Sequence, residues 1–482
     1  MKNEKTIIYT VFQGNYLKWK DRILKELTSR CEDVDFLIKE ISFPSYVDPF
    51  FLTRETKNKF REIFSEIKKL KDKGKVDGLL LFGPYYDRDV TSIGLPVIIV
   101  SGVLNFGEWK QGVQYFYRGE KVLHSTLCEH DLDSSIYSTR FDELAEKIRL
   151  ITALKRVKNS RLLNISDGNP LMSCEQRLSV GSKEYEDKLF KNLAKTFGLE
   201  IMNISWEPLV REMGRVDEME AESIANKWIS EAKEVKNTTK EEIIKAAKMY
   251  LAILKLMKEY NCNMFTMNSW GLRLGWGVLR GESKTDTMPS LAEMELAKQG
   301  IVTSCESLID CIVTQALIFH ITGRPSFVGD TLGIDPVNNV VIFGHCYAPI
   351  NPHGNDRVPY IIREHAIHRF APEIVKNPCP GIQVEFPLNE TVTVAKISLH
   401  DEKLAVFTGT TVDGRSLYQN FDNLLCKSKI VVKTNVEALL KNYDAETFGI
   451  HRVVVYGDYR RQLKDLATLI GYELVEEDKI TA

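Results

Sequence analysis

The run Gly300-Ile301-Val302-Thr303-Ser304-Cys305-Glu306 opens the stretch that decides the reading of this chain, which continues to Cys346. It reads as a short apolar strand that presents a carboxylate at its end. From there Ile309, Ile312, Val313, Ala316, Leu317 and His320 recur three or four apart, the pattern of a helix with one buried face. Gly323 and Pro325 stop that helix. A second apolar run, Pro325-Ser326-Phe327-Val328-Gly329, delivers Asp330, and a third, Val340-Val341-Ile342-Phe343-Gly344, delivers His345. Ligands of open α/β sheets bind at the C-terminal ends of the strands, so three ligand-type side chains in those positions form a candidate site. Glu306 is expected at the start of the helix, where free N–H groups favour an ionised carboxylate. Two carboxylates and a neutral imidazole suit Mn²⁺ or Mg²⁺ better than a thiolate-loving metal. Acidic residues after strands also serve as helix caps and turn formers, so the pattern alone leaves a structural reading open.

Upstream, strand-like runs at 6–12, 34–43, 77–82, 96–101 and 113–118 alternate with helical patterns at 17–31, 53–75 and 134–158. Alternation of this kind predicts βαβ units and a parallel sheet. The alternation resumes with strands at 161–166, 199–204 and 263–268 and helices near 181–197, 216–235 and 239–260. The strand 263–268 leads into a loop, Ser269-Trp270-Gly271-Leu272-Arg273-Leu274-Gly275-Trp276-Gly277. Its glycines fit neither a dinucleotide fingerprint nor a P-loop, so no nucleotide cofactor is expected. Asn268 and Trp270 are candidates for the wall of a ligand pocket, with ordinary packing the alternative. Beyond about 335, apolar runs at 381–387, 391–399 and 402–409 separated by turn residues predict an antiparallel, β-rich domain with an α/β tail from Val436 to Glu476.

At 482 residues the chain is too long for one ordinary domain, and three is the expectation. A net charge of −2 gives no field to attract nucleic acid or an anionic membrane. No apolar run is long enough to span a bilayer, and Met1-Lys2-Asn3-Glu4-Lys5 leads into a strand, not a signal-peptide core. Nine scattered cysteines without a Cys-x-x-Cys pair point to reduced thiols and a cytoplasmic location. Cys305 and Cys346 read as small packed side chains.

Other polar clusters compete. In Arg363-Glu364-His365-Ala366-Ile367-His368-Arg369 two histidines stand three apart, but polar surface is the favoured reading because the spacing is not that of a zinc protease. His320 reads as a satisfied core histidine. His353, in the turn Asn351-Pro352-His353-Gly354, and Tyr85 and Tyr86 are further candidates for substrate contact. Arg273, Arg324 and Arg357 are placed to border a pocket for an anionic sugar, and Arg324 also suits the role of a charge at a helix C-terminus.

Several of these segments together resemble the metal-binding region of the L-fucose isomerase and L-arabinose isomerase superfamily. They are Ser304-Cys305-Glu306, Leu317-Ile318-Phe319-His320-Ile321-Thr322-Gly323-Arg324-Pro325, Phe327-Val328-Gly329-Asp330 and Gly344-His345-Cys346. Glu306 and Asp330 lie 24 positions apart, which is similar to the fucose-type branch; the arabinose-type branch has a second glutamate at the Asp330 position. That second branch also has a histidine ligand shortly afterwards, and His345 follows Asp330 by 15 positions. The remaining histidine ligand of the family resembles His451, in Phe448-Gly449-Ile450-His451-Arg452-Val453-Val454-Val455-Tyr456-Gly457-Asp458. Specific motifs cover about residues 262–346 and 448–475.

The resemblance implies two consecutive flavodoxin-like (Rossmann-like) α/β domains, at 1–159 and 160–335, and a β-rich, barrel-like C-terminal domain at 336–482. It implies a metal-dependent aldose–ketose isomerase acting on a pentose or 6-deoxyhexose, L-fucose or D-arabinose in configuration, through an enediol. Glu306 and Asp330 would be the acid–base pair and, with His451, the ligands of Mn²⁺ (Mg²⁺ or Co²⁺ being the alternatives); His345 would be within reach of the metal or of a water on it, or else a strand-end histidine held by a carbonyl. It further implies a homo-oligomer, trimeric or hexameric, with first-domain residues lining a neighbour's site. Two readings from other classes stand beside it: a non-catalytic sugar-binding or regulatory protein, and a metal-dependent hydrolase or lyase.

Overall fold

The computed structural model describes residues 4–14, 16–42, 54–83, 88–101, 121–127, 137–166, 183–274, 284–370 and 378–480; the expected strand at 113–118 and the candidates Tyr85 and Tyr86 lie outside them. The chain divides into two compact units, Met1–Arg156 with Arg461–Glu473, and Val157–Arg460 with Leu474–Ala482.

In the first unit, β1 (Thr6–Gln13), β2 (Val34–Ile41), β3 (Gly78–Phe82), β4 (Val97–Ser101) and β5 (Val122–Thr126) form one parallel sheet in the order β2-β1-β3-β4-β5. This is the doubly wound, flavodoxin-like order that alternating strands and helices predict. The runs Gly-Leu-Leu-Leu-Phe of β3 and Val-Ile-Ile-Val of β4 are buried along their length, as central parallel strands covered on both faces must be. The helix Tyr137–Lys158 belongs to this unit up to Arg156, and Ile151 of that helix packs so closely on Gly78 that a Cβ there would stand 2.7 Å from its Cδ1.

The second unit begins with another parallel sheet: β6 (Arg161–Ile165), β7 (Glu200–Ile204), β9 (Met264–Met267) and β10 (Val302–Cys305), in the order β10-β9-β6-β7. Six antiparallel strands follow: β11 (Phe327–Asp335), β12 (Val340–His345), β15 (Thr391–Ser398), β16 (Lys403–Val412), β17 (Ser428–Lys433) and β18 (His451–Tyr456). They run in the order β15-β18-β11-β12-β17-β16, and pairing of β15 with β16 closes the ring, so the barrel-like expectation holds. Closure removes free edges, which an antiparallel sheet would otherwise expose. A short sheet of β8 (Glu234–Lys236), β13 (Tyr360–Glu364) and β14 (Pro380–Val384) completes the unit.

One expectation about topology changes. The strands carrying Asp330 and His345 belong to the antiparallel ring, not to a parallel α/β sheet, and Asp330 sits within β11, not after it. The apolar runs 325–329 and 340–344 are too short for periodicity to tell a buried parallel strand from a ring strand. The loop expected at 269–277 is also replaced in part by a short helix, Ser269–Leu274.

The ring packs alternate side chains inward. Phe327, Val341, Phe343, Val394, Phe407, Ile430 and Val454 join one apolar cluster with residues of the neighbouring helices. Phe343 is fully buried, with its ring 6.3 Å from that of Phe407 on a strand it does not pair with. Phe343→Ala is expected to cost about 3–5 kcal/mol through lost burial and an unfilled cavity; urea unfolding followed by circular dichroism checks this as a lowered midpoint.

Candidate metal centre

β10 ends at Cys305, and the chain then turns through Glu306 and Ser307 with φ of 72° and 57°. Two consecutive non-glycine residues in the left-handed region are uncommon and carry strain of about 1–3 kcal/mol each. Ser307 Oγ donates to Asn164 Oδ1 at 2.6 Å, and Asn164 Nδ2 donates to Asn203 Oδ1 at 2.8 Å, so β6 and β7 anchor the turn. The helix itself begins at Ile309 with Leu308 as cap, so Glu306 precedes it by a turn and does not occupy its first position.

Asp330 and His451 arrive differently. They are directly opposed in the β11–β18 register and therefore project on one face of the ring. His451 Nε2 lies 2.9 Å from Asp330 Oδ1 and 3.6 Å from Glu306 Oε2. His345, at the end of β12, places Nε2 3.7 Å from Glu306 Oε1, and the two imidazole centroids are 5.6 Å apart. The register of β11 against β12 shifts between Thr331 and Gly333, a bulge immediately after Asp330 that bends the strand beside the cluster.

One ligand atom each from Glu306, His345 and His451 falls within 4.8 Å of the others, so this cluster could hold a divalent cation. Neighbouring ligands of an octahedral cation bound at about 2.1 Å stand about 3 Å apart. The spacings of 2.9 to 3.7 Å therefore fit with small adjustments, and mixed carboxylate and imidazole donors suit a hard or borderline metal.

The protonation of the cluster follows from its burial. Desolvation, with Arg452 adding to it, pushes His451 down to about 3, so it presents a lone pair at any physiological pH. His345 is as deeply buried, but the Glu306 carboxylate and then Asp330 outweigh desolvation and raise it to about 9. Asp330 is pushed well above the carboxylate range by desolvation, with His345 opposing and Glu306 reinforcing the rise.

A residue that local sequence reasoning missed belongs here. Glu293, on the helix Ser290–Lys298, is 0% exposed, and neither carboxylate oxygen has a hydrogen-bond partner. Desolvation raises it to about 8, with the charges of His345 and Glu306 the next causes. An unpartnered buried polar group costs about 1–3 kcal/mol. The helix is buried from Ser290 to Ala297, so no amphipathic pattern could single Glu293 out. Its neighbour Glu295 shows the ordinary alternative, accepting from Lys227, Trp228 Nε1 and Lys298.

The remaining candidates disperse. Asn268 is buried and its Oδ1 accepts from Gly271 N at 3.0 Å, while Trp270 lies on the same short helix. His353 stands 3.3 Å from Glu390 and edge-on to Tyr456, at the far end of β18 from His451. Arg324 Nη1 donates to Tyr456 O at 2.7 Å, Arg357 pairs with Glu231 at 3.1 Å, and Arg273 is buried. His320 is half-buried, not a core residue. His365 is buried, against the surface expectation: its Nδ1 accepts from Ile367 N, and the ring hydrogen-bonds Cys346. Ile362, Ala366 and Ile367 around it are fully buried and carry the segment inward. Cys346 is packed as expected and also touches Cys426, whose Sγ lies 4.0 Å from Asp330 Oδ2. Among the described residues no helix is long and apolar enough to cross a membrane.

No family model matches the chain. Over 185 residues it is 24% identical to a sulfoquinovose isomerase of Alkalicoccus urumqiensis, a match that covers 38% of this chain and 38% of that protein's length. The chain is thus distantly similar to a sugar isomerase, and it carries a cluster able to hold a divalent metal.

His345 holds a proton at neutral pH that must leave before its Nε2 can bind a cation. Affinity for Mn²⁺ is therefore expected to rise with pH by a factor of about ten per unit for that displaced proton and to level off above about 9. Calorimetric titration across this range, in buffers of differing ionisation enthalpy, measures both the slope and the protons released.

Proposed function

We propose that this protein is a divalent-metal-dependent aldose–ketose isomerase acting on a pentose or 6-deoxyhexose. The observation that carries the reading is the convergence of Glu306, Asp330, His345 and His451 from two separate sheets within ligand distance. Mn²⁺ is the proposed ion. When bound by these four residues, it supplies Lewis-acid stabilisation of the negative charge that develops on two adjacent sugar oxygens.

The chain's own residues do the rest. Isomerisation moves one proton from C2 to C1 and another between O1 and O2. Glu306 and Asp330 are the proposed carriers, and a carboxyl raised by burial, as Asp330 is, is matched to proton exchange near neutral pH. His451, neutral and directly opposed to Asp330 in the strand register, brings its lone pair beside that carboxylate, where one cation would take both. The strained turn at Glu306–Ser307 holds the other carboxylate without a flexible loop. A trimer or hexamer remains part of the proposal.

L-fucose or D-arabinose is the first substrate pair to test, on the Glu306-to-Asp330 spacing. The similarity to a sulfoquinovose isomerase makes an anionic, sulfonated 6-deoxyhexose the second. Incubation of the Mn²⁺-loaded protein with each aldose, with ketose formation measured, tests the reading. A protein that binds sugar with no turnover is the binder of the alternative reading, and release of fragments marks a hydrolase or lyase.

Glu306→Gln and Asp330→Asn each delete a proposed ligand together with a proton carrier; loss of the proton carrier is expected to lower kcat by roughly 10²–10⁴-fold, and loss of the ligand adds to it. Turnover in D₂O is expected to leave deuterium at C1 of the ketose. Complete retention of the substrate hydrogen would remove both carboxylates from the proton-transfer role.

A further inference from the structure

We infer that Glu293 is a positioning residue for His345: its carboxyl takes the hydrogen bond of the outer ring nitrogen, Nδ1, so that Nε2 is presented to the cation. The inference rests on the metal-centre reading and adds to it a residue that touches neither substrate nor cation.

Two orphaned groups carry it. Glu293 is fully buried and neither of its oxygens has a partner. His345 is buried too, and its Nδ1 also lacks one, while its Nε2 is turned to Glu306. The helix Ser290–Lys298 runs directly into β10 and packs on it, so its first turn lies beside the end of that strand, where Glu306 stands 3.7 Å from His345; the charges acting on Glu293 are those same two. A histidine that binds metal through one nitrogen nearly always donates from the other, and that donation fixes both tautomer and ring angle. Either a small approach of the two groups or one buried water with polar partners on both sides completes the link. A carboxyl with no such task would be replaced at this position by an apolar residue, because desolvating it without a partner weakens the fold.

That last point separates a positioning role from a structural one. Glu293→Met, of similar volume, is expected to raise the thermal midpoint of the metal-free protein. The same substitution is expected to weaken Mn²⁺ binding by about 10–100-fold. Glu293→Gln keeps an acceptor for Nδ1–H and is expected to retain most of the affinity.

Calorimetric titration of the full-length protein with Mn²⁺ reads this directly, with Glu306→Gln as the control for the site. Strong binding by the wild type that Glu306→Gln abolishes and Glu293→Met weakens, with Glu293→Gln near wild type, is the expected result. If Glu293→Met binds Mn²⁺ as the wild type does, the positioning role is overturned while the metal centre stands. If both Glu293 variants lose stability together with affinity, the residue is structural and the inference is likewise overturned. If the wild type binds no Mn²⁺, the metal centre itself falls, and the inference with it.

Discussion

Carboxylates crowded into a volume that excludes water are the constraint on which the second unit depends. Glu306 stands within 3.7 Å of both imidazoles and Asp330 2.9 Å from one of them, and the charge of Glu306 raises the cost of ionising both Asp330 and Glu293. At low dielectric that repulsion is not screened, and no hydrogen bond in the cluster is strong enough to offset it. Two balances are open: protons, or a cation. The raised positions of Asp330, Glu293 and His345 describe the first, with protons held where the charge is densest. A divalent cation is the second, and it exchanges those protons for coordination. The elevated affinities for protons and the suitability for metal are therefore two consequences of one arrangement.

The scaffold holds that arrangement by unrelated means. Glu306 is fixed by backbone: a left-handed pair of residues at the end of a parallel strand, tied through Ser307 and Asn164 into the sheet. Asp330 and His451 are fixed by register, since opposed residues of antiparallel neighbours cannot be separated without slipping the pairing. A one-residue slip would turn both to the other face of the ring. The apolar alternation of β11 and β18, with Phe327 and Val454 in the core, opposes that slip. The hydrophobic pattern of the ring thereby sets a polar geometry in which no apolar residue takes part.

How much of this was legible in the sequence depends on range. The alternation of the first 330 residues is local, and it yielded most elements of both parallel sheets to within a few residues, for example 161–166 against Arg161–Ile165, but not β5 at Val122–Thr126, where no strand was expected. The apolar runs before Asp330 and His345 were legible as strands, but periodicity carries nothing about partners: the two pair with each other across the turn 336–339, and their outer partners, β18 and β17, lie more than 80 positions away. Glu306, Asp330 and His451 could be singled out only through resemblance of motifs, since acidic residues at strand ends are common. Glu293 could not be singled out at all. Its surroundings Leu291, Ala292, Met294 and Leu296 read as core, and a lone glutamate among them reads as a solvent-facing position of a helix that in fact has no solvent face. His365 erred in the opposite direction, since arginines and a glutamate beside it suggested surface. Arg363 is instead buried against Glu364 and Gln383. Charge in a sequence marks exposure only where no partner of opposite charge is folded onto it.

The placement of the ligands also has a thermodynamic consequence. Glu306 follows the last strand of the parallel sheet, whereas Asp330, His345 and His451 lie on the antiparallel ring, so the full set of four forms only where the two meet. A cation that needs both can bind only when the two are docked, and its binding energy is then added to the docking of one on the other. Backbone strain and an unpartnered buried carboxyl thus sit beside a cluster able to hold a divalent cation, and on the proposed function the arrival of that ion would act on both.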